Sequence, residues 1–116
     1  MKNFEIVRNI NNLTEFKNRN KDTKIPIKIS FTINRNLKTL VKEYTVYKET
    51  LEELEAEYKC SASSISDDTP QEFVSKLNEL CNTDVDAEID KINESDFGEY
   101  DITPYDLDLL SSIINY

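Results

Sequence analysis

Between residues 33 and 58 the apolar side chains fall at Ile33, Leu37, Leu40, Tyr44, Tyr47, Leu51, Leu54 and Tyr58, in steps that alternate four and three. That is an unbroken heptad seam, the spacing that lays one apolar stripe along a helix. The stretch holds no Gly and no Pro, the residues that would interrupt it. A helix this long needs partners for its stripe, and the rest of the chain offers three short apolar faces. Ile6, Ile10 and Leu13 form one, with Phe4, Val7 and Phe16 nearby. Phe73, Leu77 and Leu80 form the second, and Leu107, Leu110, Ile113 and Ile114 the third. The fold class expected is mainly α with a small β element. A long central helix (about 28–59) is packed by three shorter helices (about 4–19, 70–82, 104–114) and by a strand near 84–92. With tyrosines at the seam, a mixed core whose hydroxyls reach the rim fits better than a two-stranded zipper.

Three places leave the local structure open. Residues 4–7 also suit a brief strand ahead of the first helix. At 25–33, Ile25, Ile27, Ile29, Phe31 and Ile33 alternate at period two, a strand signal. Pro26 in the first turn of a helix competes with it, because the N–H that Pro lacks has no partner there anyway. A helix start between Pro26 and Ser30 is favoured. At 84–92, Val85, Ala87 and Ile89 alternate with Asp84, Asp86, Glu88 and Asp90, which describes a half-buried strand with a charged outer face. Such a strand needs a backbone partner: residues 100–103, the N-terminal residues, 25–31, or the same strand of a second subunit. Thr69-Pro70-Gln71-Glu72 and Thr103-Pro104-Tyr105-Asp106 are helix starts with Thr as cap and Pro at the first position. The last helix is expected to run to the chain end, with Tyr116 closing the domain.

The chain of 116 residues is read as one domain, 1–116. Cys60 and Cys81 are expected as free thiols, with a bridge between them as the alternative. No apolar run approaches the ~20 residues of a membrane span, and residues 1–8 are not followed by the apolar core of a signal peptide. A cytoplasmic protein of a bacterial host is the expectation. The formal charge of −9 is unevenly spread. Residues 1–42 hold ten Lys and Arg against three acids, whereas 43–116 hold four against twenty. Either the halves pack together and neutralise each other, or the acidic half faces a basic partner. Direct binding of nucleic acid is disfavoured, since a net-acidic chain repels phosphate.

Catalytic chemistry finds little to work with. There is no His, so the commonest general base and metal ligand is missing. A single Gly rules out a glycine-rich phosphate loop. Asp84, Asp86, Glu88 and Asp90 resemble the start of a calcium loop, but the sixth position is Ile89 where a Gly is needed and the twelfth is Ser95 where a bidentate acid is needed. No cofactor and no metal are expected, and the chain is read as not an enzyme.

The run from Ile25-Pro26-Ile27-Lys28 through Arg35-Asn36-Leu37-Lys38 to Leu40, followed by Tyr44 and Tyr47, resembles a family of small phage and prophage proteins of Gram-positive bacteria. Thr103-Pro104-Tyr105-Asp106-Leu107-Asp108-Leu109-Leu110 is similar to that family's terminal segment. The family carries Lys-Tyr near the end of its long helix, where this chain has Tyr58-Lys59. The resemblance implies a phage origin and a helix that starts at Pro26, and it brings no catalytic residues. Two functions follow as expectations. One is a phage-encoded interaction protein that binds and inhibits a host protein, such as a defence nuclease, through an acidic surface; Glu52, Glu53, Asp84, Asp86, Glu88 and Asp90 are its candidate partner-binding residues. The alternative is a virion or assembly component, a chaperone or connector, that self-associates through the long helix or the lone strand. Neither requires a membrane.

Overall fold

The computed structural model describes residues 1–115; the expectation for Tyr116 lies outside them. Four helices occur in chain order: α1 (Asn3–Arg19), α2 (Ile27–Tyr58), α3 (Gln71–Cys81) and α4 (Pro104–Leu109). Two short strands, β1 (Ile92–Asn93) and β2 (Ile114–Asn115), pair in parallel. A 3-10 turn at Glu94–Phe97 follows β1. The protein is mainly helical, with the 32-residue α2 as its central element packed against α1.

Pro26 settles the open question at 25–33. It sits just before α2 with φ −50° and ψ 134°, and its carbonyl accepts from the N–H groups of Ile29 (3.0 Å) and Ser30 (3.2 Å). The period-two pattern at 25–33 is thereby split. Ile29 and Ile33 are fully buried four residues apart, while Ile27 and Phe31 are 84% and 59% exposed. Helical spacing decided which isoleucines reach the core. At its far end α2 stops where Lys59 turns left-handed (φ 52°), and the Glu55 carbonyl accepts from Cys60 N–H at 3.1 Å. The Glu55 side chain then takes the N–H of Ala62 at 2.8 Å. One of the late glutamates therefore ties down the loop that follows the helix.

All eight seam positions of α2 are buried or half-buried, but they serve two separate cores. The first joins Ile29, Ile33 and Leu40 to Ile6, Leu13 and Phe16 of α1 and to Leu110 and Ile113. The second is smaller: Leu54 of α2 with Phe73 and Leu77 of α3, flanked by Leu51, Tyr58 and Cys81. Tyr44 and Tyr47, with ring centroids 6.0 Å apart, lie between them in sequence. The molecule measures 53 × 25 × 22 Å, and α2 at 1.5 Å per residue accounts for about 48 Å of that length. It is a body built on the first half of α2, with an arm made of its second half and α3.

Three expectations are corrected in detail. α3 begins one residue late: Pro70 occupies the cap position, and Thr69 turns its hydroxyl to the Ser66 N–H (2.9 Å). α4 begins as expected, the Thr103 hydroxyl accepting from Asp106 N–H at 3.1 Å, but it ends at Leu109 and not near 114. The Ile113 carbonyl instead accepts from Ile92 N–H at 2.7 Å, so the chain leaves the helix to supply β1 with its partner. The strand expected at 84–92 is a true ladder only at Ile92–Asn93. Asp84 forms an isolated antiparallel bridge with Lys2, and residues between carry no ladder. The alternation still holds: Val85, Ala87 and Ile89 are half-buried, and the four acids are exposed.

Candidate partner-binding surface

The acidic segment 84–90 gets its backbone partners from elsewhere in the chain. Val85 N–H donates to the Met1 carbonyl at 2.7 Å, and Asn3 N–H to the Thr83 carbonyl at 3.2 Å. Asn36 of α2 holds the other end. Its Nδ2 donates to the Asp90 carbonyl at 2.9 Å, and its Oδ1 accepts from Asp90 N–H at 2.7 Å. A side-chain amide presents one donor and one acceptor in a plane, as a peptide group does, so Asn36 stands in for one residue of a neighbouring strand. It is 1% exposed. With both backbone groups met, the segment needs no second subunit at this point.

Asp86, Glu88 and Asp90 line a shallow polar groove of about 400 Å³ with Arg35, Asn36 and Thr39. Arg35 Nε lies 3.3 Å from Asp90 Oδ2, and its guanidinium sits 5.7 Å from the Phe31 ring centroid. Asp84 points away, 82% exposed, beside the Met1 amine at 3.9 Å. Among the described residues no three acidic or thiol side chains converge to hold a metal. Glu52 and Glu53 are exposed on the far half of α2, about 24 Å along the helix from Asn36 at 1.5 Å per residue. The structure thus divides the six candidate residues between two regions.

Ion pairs show how the two halves of the sequence meet. Lys28 Nζ is 3.0 Å from Asp96 Oδ1, and Arg19 Nε is 2.8 Å from Asp106 Oδ1. Asp96 is held below the usual carboxylate range by the backbone N–H of Asn93 first and by Lys28 second. Asp106 is buried, and burial alone would raise it. Hydrogen bonds from Arg19, Asn20 and Thr103 outweigh that and lower it. Tyr100 donates to Asn20 Oδ1 at 2.7 Å, and Arg19 stacks 4.5 Å from the Tyr105 ring centroid. This network fastens the end of α1 to the start of α4.

The pairing redistributes the charge. Residues 1–42 and 84–116 together, which make the body, hold eleven Lys and Arg against thirteen acids. Residues 43–83, which make the arm, hold three against ten. Within the arm Lys76 is already engaged, 3.9 Å from Glu57 and 3.6 Å from Glu72. Most of the net negative charge, −7 of −9, therefore lies on the arm, where Glu49, Glu52, Glu53, Asp67 and Asp68 are exposed. The sequence alone offers Glu52 and Glu53 together with the acids of 84–90, because linear counting does not see that Arg35, Lys28 and Arg19 fold back onto the later acids. Asn36 was missed as well. Its signal is its place on the stripe Ile29, Ile33, Asn36, Leu40, a polar residue at a core position.

Comparison with known proteins finds no matching family model, curated protein or solved structure. No described helix is long and apolar enough to cross a membrane.

Proposed function

We propose that the chain is a non-enzymatic interaction protein of phage origin that docks its acidic arm on a basic surface of a host protein and blocks it, a defence nuclease being the favoured target class. The observation that carries this reading is the concentration of net charge. The arm's exposed acids outnumber its bases while the body is close to neutral. A field of one sign on a narrow projection reaches about 10 Å at 0.1 M salt, and it attracts the same basic channels that bind nucleic acid. The 84–90 segment, partly neutralised by Arg35, frames the groove and plays the smaller role.

The test is capture of partners from a Gram-positive bacterial lysate by the native chain and by two reversal variants. One carries Glu49→Lys, Glu52→Lys and Glu53→Lys. The other carries Asp84→Lys, Asp86→Lys, Glu88→Lys and Asp90→Lys. Capture that weakens steeply with salt, is lost in the arm variant and leaves the captured protein unable to cleave DNA is the expected result. Capture indifferent to salt and to both reversals overturns the reading.

A further inference from the structure

Ile27 and Phe31 stand one helical turn apart on the outer face of α2, 84% and 59% exposed, where a soluble helix usually carries polar side chains. The same face continues with Arg35, Lys38 and Lys42, all exposed. From Ile27 to Lys42, about 22 Å at 1.5 Å per residue, α2 holds four bases and no acid. Lys28 is engaged by Asp96 at 3.0 Å and Arg35 in part by Asp90 at 3.3 Å. Lys38 and Lys42 form no ion pair among the described residues. Apolar surface and uncompensated positive charge therefore lie side by side on the body of the protein.

We infer that this face seats an acidic segment, bearing apolar side chains, of the same protein on which the arm docks; the inference rests on the arm reading. Steps of seven from Phe31 to Lys38 and from Lys42 to Glu49 keep these residues on one side of α2, so the two halves of the helix face the same way. A partner lying along that side meets apolar and positive surface first, and negative surface about 10 Å beyond Lys42. Complementarity requires the reverse order on the partner. It needs acids and an apolar hollow opposite the body, beside the basic surface that takes Glu49 and Glu52. A partner turned end for end sets like charges together over both halves, so charge fixes the orientation of docking.

Other occupants fit the face less well. A lipid surface extends past Lys42 and brings its negative charge against Glu49 and Glu52, within about a Debye length of 10 Å. A phosphate backbone pairs with Lys38 and Lys42 but leaves Ile27 in water. A second copy laid antiparallel places Lys42 against its own symmetry mate. A protein segment of finite length supplies both the acids for Arg35, Lys38 and Lys42 and the apolar atoms for Ile27 and Phe31.

The test replaces Phe31 in one full-length variant, and Glu49 in another, by the photo-crosslinking residue p-benzoylphenylalanine, with circular dichroism to confirm that each is folded. Each variant is irradiated in a Gram-positive bacterial lysate, and mass spectrometry identifies the attached protein and the attached segment. The expected result is one protein joined at both positions. Its segment at Phe31 is rich in Asp, Glu and apolar residues, and its segment at Glu49 is rich in Lys and Arg. Adding Lys38→Glu with Lys42→Glu leaves the arm untouched and lowers the yield at both positions by about tenfold or more. A protein joined at Glu49 with none at Phe31, or with a basic segment or a second copy of this chain at Phe31, overturns the inference and leaves the arm reading standing. So does a charge reversal at Lys38 and Lys42 that changes neither yield. Binding of short single-stranded DNA or of phosphatidylglycerol vesicles to the purified chain, abolished by the same reversal, also overturns it. No protein joined at either position overturns both this inference and the arm reading.

Discussion

Replacing Asn36 by Ala tests how the acidic segment is held. The side chain is 1% exposed and makes two hydrogen bonds to one residue, 2.9 Å to the Asp90 carbonyl and 2.7 Å from its N–H. Removing it leaves both backbone groups without their partner, at about 1 kcal/mol each when water can reach one side of the segment. The gap left on α2 between Ile33 and Leu40 adds about 1 kcal/mol. The expected loss is about 3 kcal/mol, which lowers the melting midpoint of a chain this size by about 10 °C. Urea unfolding gives the free energy, and hydrogen exchange gives the place: the Asp90 amide is protected in the native chain and exposed in the variant. Arg35→Gln is the control, removing an exposed ion pair worth less than about 1 kcal/mol. A loss below about 0.5 kcal/mol for Asn36→Ala refutes the strand-mimic account. A native Asp90 amide that exchanges as fast as an unstructured one does the same.

Three further outcomes follow from other parts of the structure. Asp106 is lowered in the folded state, so its contribution is complete above the unfolded carboxylate value and is lost as pH falls through the folded one; Asp106→Asn flattens the fall in stability below about pH 4 seen in acid titration of the native chain. Tyr47 is pushed up to about 12 by burial first and by its hydrogen bond with Cys81 second. The folded state keeps a proton that the unfolded chain gives up near pH 10, so stability falls as pH rises through about 10 to 12, and Tyr47→Phe removes that part of the alkaline slope in urea unfolding. Phe73→Ala empties the fully buried centre of the small arm core and costs about 3–5 kcal/mol locally; hydrogen exchange is expected to show α3 unprotected while α1 keeps its protection, and equal loss in both helices refutes the two-core arrangement.

Much of the candidate surface was readable from single residues. Alternation at 84–90 correctly put four acids outside, because a side-chain period of two follows from extended backbone whether or not a ladder forms. Which acids remain uncompensated was not readable, since that depends on Arg19, Lys28 and Arg35 meeting Asp106, Asp96 and Asp90 across long separations.

The sequence by itself determined the helices. A seam without Gly or Pro, a Pro ahead of α2 and a Thr-Pro pair ahead of α4 act within a few residues of where they stand, and local backbone preferences carry them out. Tertiary structure alone decided that the seam splits into two cores, that Asn36 replaces a missing strand, and that the last helix yields its end to a parallel partner for Ile92. Each of those outcomes satisfies a backbone group or an apolar face with a residue distant in sequence. No local pattern names such a partner; only the packed chain does.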